Sequence, residues 1–213
     1  MKTRTFVSIL IFIFAVMIVV ATTSKTKEEK EVVQPEVFFQ SVRSGDYAGV
    51  KRLIEEGADV NAKDKQGGTA LMIASGFGHT EVAKLLIDAG ADVNAQSNNG
   101  GTALMIASVM GQTEVAKLLI KKGADVNAQD NEGGTELLWA SEFGRLEVAQ
   151  LLIEAGADVN AQSNYGWAAL MAASHYGHTE ITKLLIEEGA DVSAQDKDGF
   201  TALMLYLHHC SEH

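Results

Sequence analysis

From Asp64 onward, apolar and polar positions follow one order that returns every 33 residues. In the first full unit, Asp64-Lys65-Gln66-Gly67-Gly68 is polar and glycine-rich, which is turn chemistry. Thr69-Ala70-Leu71-Met72-Ile73-Ala74-Ser75 then predicts a short helix with Thr69 as N-cap, closed by Gly78, a residue free to take positive φ. Thr80 and Glu81 lead into Val82, Ala83, Leu85, Leu86 and Ile87, apolar at helical spacing, so a second helix is predicted up to Gly90. Ala91-Asp92-Val93-Asn94-Ala95 turns the chain outward again. Ala70 and Ala74 are small enough for the first helix to lie against helices on both flanks, while Val82, Leu85 and Leu86 fill the space between units.

The phrase Gly-Ala-Asp-Val-(Asn/Ser)-Ala begins at Gly57, Gly90, Gly123, Gly156 and Gly189, without an insertion or deletion between copies. A period of this length means supersecondary units too small to bury their own apolar faces, which become stable by stacking. The expected fold is an all-α repeat solenoid, elongated, with helix-turn-helix units joined by β-hairpin-like loops.

The pattern resembles the ankyrin repeat across residues 31–213. The residues that carry the likeness are Gly67-Gly68-Thr69-Ala70-Leu71-Met72-Ile73-Ala74-Ser75-Gly76-Phe77-Gly78-His79, then Val82, Leu85-Leu86 and Gly90-Ala91-Asp92-Val93-Asn94-Ala95. On that alignment the units are 31–63 as an N-terminal capping repeat, then 64–96, 97–129, 130–162 and 163–195, with 196–213 as a C-terminal half-repeat cap. The family's Pro and His of T-P-L-H are absent. Their slots hold Ala70 and Met72, Ala103 and Met105, Glu136 and Leu138, Ala169 and Met171, and Ala202 and Met204. The methionine-type slots are read as core, because a flexible thioether fills irregular gaps. At the end, Tyr206 and Leu207 supply bulk in place of a missing second helix. At the start Val37, Phe38, Phe39 and Val42 serve the same purpose, with Glu36, Gln40 and Arg43 on the wet face.

The resemblance implies binding to a protein through the loop tips and the inner face of the first helices. Identical scaffold slots carry no ligand information, so recognition is sought where the repeat varies. Glycine at one tip slot, Gly68, Gly101 and Gly134, gives way to Trp167 and Phe200, beside Tyr165, His175 and Tyr176. Exposed aromatic clusters mark binding hot spots, so Tyr165, Trp167, Phe200, His175 and Tyr176 are candidate partner-binding residues. Phe77, Met110 and Phe143 share the slot of Tyr176, where they either join that surface or pack on the neighbouring repeat. Trp139 replaces Ile73 and Ile106 and reads as core.

The first residues differ from the rest. Lys2 and Arg4 precede an apolar run of 16 residues from Phe6 to Ala21, short of the roughly 20 a membrane span requires. With Val19-Val20-Ala21 offering a cleavage site, 1–21 reads as an export signal peptide, or as an uncleaved anchor. Residues 22–34 form a charged linker that ends before Pro35, the only proline. Formal net charge is −11, with acidic residues spread over the repeats, and no basic cluster suits nucleic acid. Cys210 is the single cysteine, so the domain is held by packing without an internal disulfide. These features together point to a periplasmic or secreted monomer of a bacterial envelope, in contact with membrane only through an uncleaved 1–21.

No catalytic motif and no cofactor site emerges. His208, His209, Cys210 and His213 are dense potential ligands, but neighbours on a helix diverge and no second pair closes a tetrahedral site, so no specific metal site is expected. His79 and His178 follow a helix-ending glycine at matching slots and read as scaffold, and the Asp and Glu residues read as loop and helix-surface positions. The expected function is a non-catalytic protein–protein interaction scaffold exported across the inner membrane. The alternative is a secreted factor acting on another cell, or a metal- or small-molecule-linked accessory of an envelope enzyme related to oxidative stress.

Overall fold

The structure, a computed structural model, describes residues 34–212. The segment 1–21 read as an export signal or anchor, nearly all of the expected linker and His213 lie outside the described residues. Among the described residues there are eleven helices: α1 (Pro35–Arg43), α2 (Tyr47–Glu55), α3 (Ala70–Phe77), α4 (Thr80–Asp88), α5 (Ala103–Met110), α6 (Thr113–Lys121), α7 (Glu136–Glu142), α8 (Leu146–Glu154), α9 (Ala169–His175), α10 (Thr179–Glu187) and α11 (Ala202–Glu212). None of them is long and apolar enough to cross a membrane.

Helices of this length are marginal in water by themselves, so packing must hold them. Local chemistry sets where they start and stop. The Thr69, Thr102 and Thr135 hydroxyls accept the backbone N–H of Met72, Met105 and Leu138, and Pro35 opens α1, where no N–H is needed. Gly78 closes α3 at φ 72°, a left-handed turn that only glycine enters without strain.

The helices stack in two layers. First helices α1, α3, α5, α7, α9 and α11 pack in series, and second helices α2, α4, α6, α8 and α10 form a parallel series behind them, less closely set. Closer approach in the first layer follows from its alanines: Ala70, Ala74, Ala103, Ala107, Ala140, Ala169 and Ala173 are all buried. The unequal spacing curves the array, with first helices and loop tips on the inner side. Between the layers run Leu71, Leu86, Leu104, Leu119, Leu137, Leu152, Met171, Ile181 and Leu185, each fully buried and each contributing about 2 kcal/mol of apolar transfer.

Hydrogen bonds tie unit to unit with the period of the sequence. Asn61 Nδ2 donates to the Gly90 carbonyl at 3.0 Å while its Oδ1 accepts the Asp92 N–H at 2.8 Å. Asn94, Asn127 and Asn160 repeat both bonds one unit further on, and Ser193 ends the ladder by turning back to Asp191. A second ladder starts each second helix. His79 and His178 donate from Nε2 to the carbonyls of Arg43 and Glu142 at 3.0 and 2.9 Å, and Gln112 and Arg145 reach Gly76 and Val109 in the same way. The two histidines are therefore scaffold residues. The loops carry antiparallel bridges at Lys63–Thr69 and Gln162–Ala168.

The ends depart from expectation. Phe38, Phe39 and Val42 close the N-terminal unit, but Val37 is exposed. At the other end Leu203, Met204, Tyr206 and Leu207 are all exposed, so their bulk does not replace a second helix. Met72, Met105, Leu138 and Met171 are core as expected, and Met204 is not, because no further first helix covers it.

Candidate functional site

The inner face carries a cleft of about 140 Å³ between the repeats 130–162 and 163–195. Its walls are Trp139, Tyr165 and Trp167 with Leu138, and two carboxylates, Glu132 and Glu142, stand at it. The two tryptophans arrive by opposite routes. In one repeat the tip slot is glycine, Gly134, and the helix slot is Trp139; in the next the tip slot is Trp167 and the helix slot is the buried Ala172. A Cβ at Gly134 would come within 2.8 Å of Trp139 Nε1 and 2.9 Å of Asp130 Oδ2, so a larger residue there would displace the indole. Its absence lets the indole fold under the loop and donate to Asp130 Oδ2 at 3.0 Å. Trp139 is thus half-buried at the inner face, not core, which corrects the sequence reading. The signal available was the glycine five residues before it, paired with the inverse arrangement one repeat later.

Trp167 stands edge-on to the His175 ring at 5.5 Å, and His175 edge-on to Tyr176 at 4.8 Å. The Tyr176 phenol lies beside the Glu142 carboxylate. Desolvation lifts the Glu142 carboxyl above the ordinary carboxylate range, against the pull of Tyr176 and His175. Desolvation and the Glu142 charge raise the Tyr176 phenol. Tyr165 is 59% exposed, and its loop is held by Ser163 Oγ, which accepts the N–H of Tyr165 and of Trp167.

The structure thus gathers Tyr165, Trp167, His175 and Tyr176 into one patch. Phe200 is exposed on the next tip. Phe77, Met110, Phe143 and Tyr176 are 56%, 51%, 44% and 46% exposed, so the shared slot leaves them open to solvent in place of packing them away. Phe77 lies flat against His79 at 5.9 Å and Tyr176 flat against His178 at 6.5 Å. Toward the N-terminal repeats the inner face widens into a depression of about 620 Å³ bordered by Gln66, Ile73, Phe77 and Ile106. It is open because Gly68 and Gly76 bring no side chains into it.

One ionisable group lies in the core. Glu136 is fully buried at the slot occupied by Ala70, Ala103, Ala169 and Ala202, which corrects the reading of all acidic residues as surface. Thr102 Oγ1 donates to its Oε1 at 3.2 Å, and its Oε2 has no partner. Burial pushes this carboxyl up to about 8, helped by the nearby Asp125 and Asp130 charges. Among the described residues no cluster of His, Cys, Asp and Glu is placed to hold a metal ion. Cys210 is exposed on α11.

The family model for ankyrin repeats in three copies matches residues 38–130 and again 131–212. A search of curated proteins finds no match to this chain.

Proposed function

Since the chain belongs to the ankyrin repeat family, whose repeats generally mediate protein–protein interaction, we propose that it is a non-catalytic scaffold exported to the bacterial envelope. It takes its protein partner on the inner face of the array. The observation that carries this reading is the convergence of Tyr165, Trp167, His175 and Tyr176 on one face, continued by Phe143, Met110 and Phe77 along the shared slot and by Phe200 at the last tip. Rigid aromatic side chains held at a surface give contact area at little entropic cost. A solvated hydrophobic patch persists only at a cost in solubility, which the formal charge of −11 offsets. Export rests on the apolar run Phe6 to Ala21 behind Lys2 and Arg4.

The test is photo-crosslinking in the cell from position 167, repeated with Tyr165→Ala and with a reporter at Glu81 on the outer helix. A specific partner captured from position 167, lost with Tyr165→Ala and absent from position 81, is the expected result. Capture that ignores Tyr165, in a variant with unchanged circular dichroism, refutes the surface. Recovery of the protein in the cytoplasmic fraction refutes export.

A further inference from the structure

We propose that the cleft between Trp139 and Trp167 is built for one cationic side chain of the partner, a lysine or arginine. The inference rests on the inner face being the docking surface and adds the chemistry it recognises. Aromatic faces attract a cation through the negative pole of their π systems, and the attraction is greatest where water is displaced. The cleft sets Trp139, Tyr165 and Trp167 around a space of about 140 Å³, the size of one side chain and too small for a folded element. Glu132 and Glu142 stand at the same cleft, and no lysine or arginine lines it.

Other groups at the cleft favour the same occupant. Trp139 Nε1–H is already spent on Asp130, so the indole offers its π system and not a donor. The partly desolvated Glu142 carboxylate carries no salt bridge among the described residues. An anionic ligand would meet two carboxylates. A neutral apolar one would bring Glu142 no counter-charge beyond its neighbour His175, whereas an ammonium or guanidinium satisfies aromatic faces and carboxylates together. The wider depression near Phe77 and Ile106 has no such combination, since Asp64 shares it with Lys65.

The chain has two tryptophans, both in this cleft, so the two indole N–H resonances of the ¹⁵N-labelled full chain report on it alone. The probes are n-butylammonium and n-butylguanidinium chloride, with n-pentanol as the neutral match and sodium chloride as the ionic control. Saturable shifts of both indole signals with either cation, weakened about tenfold or more in affinity by Glu132→Gln with Glu142→Gln, are expected. Non-saturable shifts, or equal shifts from n-pentanol, overturn the proposal, as does an undiminished cation response in the double Gln variant. The indole positions without probe show whether that variant keeps the cleft. If cations fail while Tyr165→Ala still abolishes capture from position 167, the cationic-side-chain inference falls and the docking surface stands. If capture ignores Tyr165, both fall.

Discussion

Glu136 is the residue whose environment and chemistry disagree most. Its carboxyl is held up to about 8 by burial, while in the unfolded chain it titrates near the ordinary 4.5. Between those values the folded state keeps a proton that the unfolded state releases. Stability from this group is therefore fully present below the unfolded value and falls as pH rises through the window, levelling off above about 8. Glu136→Ala, which restores the residue of the four equivalent slots, is expected to raise stability at pH 7 to 8 on the order of 2 kcal/mol, after the cost of the smaller side chain is included. It should also flatten the pH dependence between 5 and 8. Urea denaturation of both proteins across that range checks it, and an unchanged slope contradicts the buried-acid account. Sequence pattern alone hid this residue, because a glutamate two positions after a glycine pair reads as a loop-proximal surface acid. Only the flanking first helices put it out of water.

At the scale of the element, the first helices of the four full repeats differ in one cap. Thr69, Thr102 and Thr135 each give a hydroxyl to the helix start, but the N-cap of α9 is Ala168, in the same extended conformation and with no side-chain cap. Ala168 is buried to the same degree as those threonines, so the site has room of the right kind. Ala168→Thr is expected to add up to about 1 kcal/mol by taking over the Met171 N–H, which now donates to the Ala168 carbonyl at 3.0 Å, read as a higher denaturation midpoint with unchanged slope. A loss of stability would mean that the added methyl is not accommodated. Helix positions, caps and terminal glycines were legible in the sequence because they depend on residues a few places apart. The role of Trp139 was not: its slot holds isoleucine in two repeats, and only the loop folded over it, with Gly134 making room, turns the ring toward the inner face.

At the scale of the array, the main helix contacts of each described repeat are with its neighbours, carried by the asparagine ladder, the His79–Gln112–Arg145–His178 ladder and the leucine layer. Stability should then be local in origin and graded along the array. Leu185→Ala, in a fully buried position of α10, is expected to cost about 3 kcal/mol. Hydrogen exchange should show the loss in α9, α10 and α11 while α3 and α4 keep their protection. Uniform loss along the chain would instead mean all-or-none cooperativity. The open apolar face of α11, with Leu203 and Met204 exposed, makes that end the first to open.

What the sequence determined by itself is the repeat: its period, its helix pairs, its turns and the alanines that let first helices approach. These follow from chemistry within one unit, copied without a gap. What only the tertiary structure decided is which variable residues share a cleft, which of them keep their exposure, and which acid loses its water. Those properties arise between units, where the tip of one repeat meets the helix of the one before, and a one-dimensional pattern cannot record that meeting.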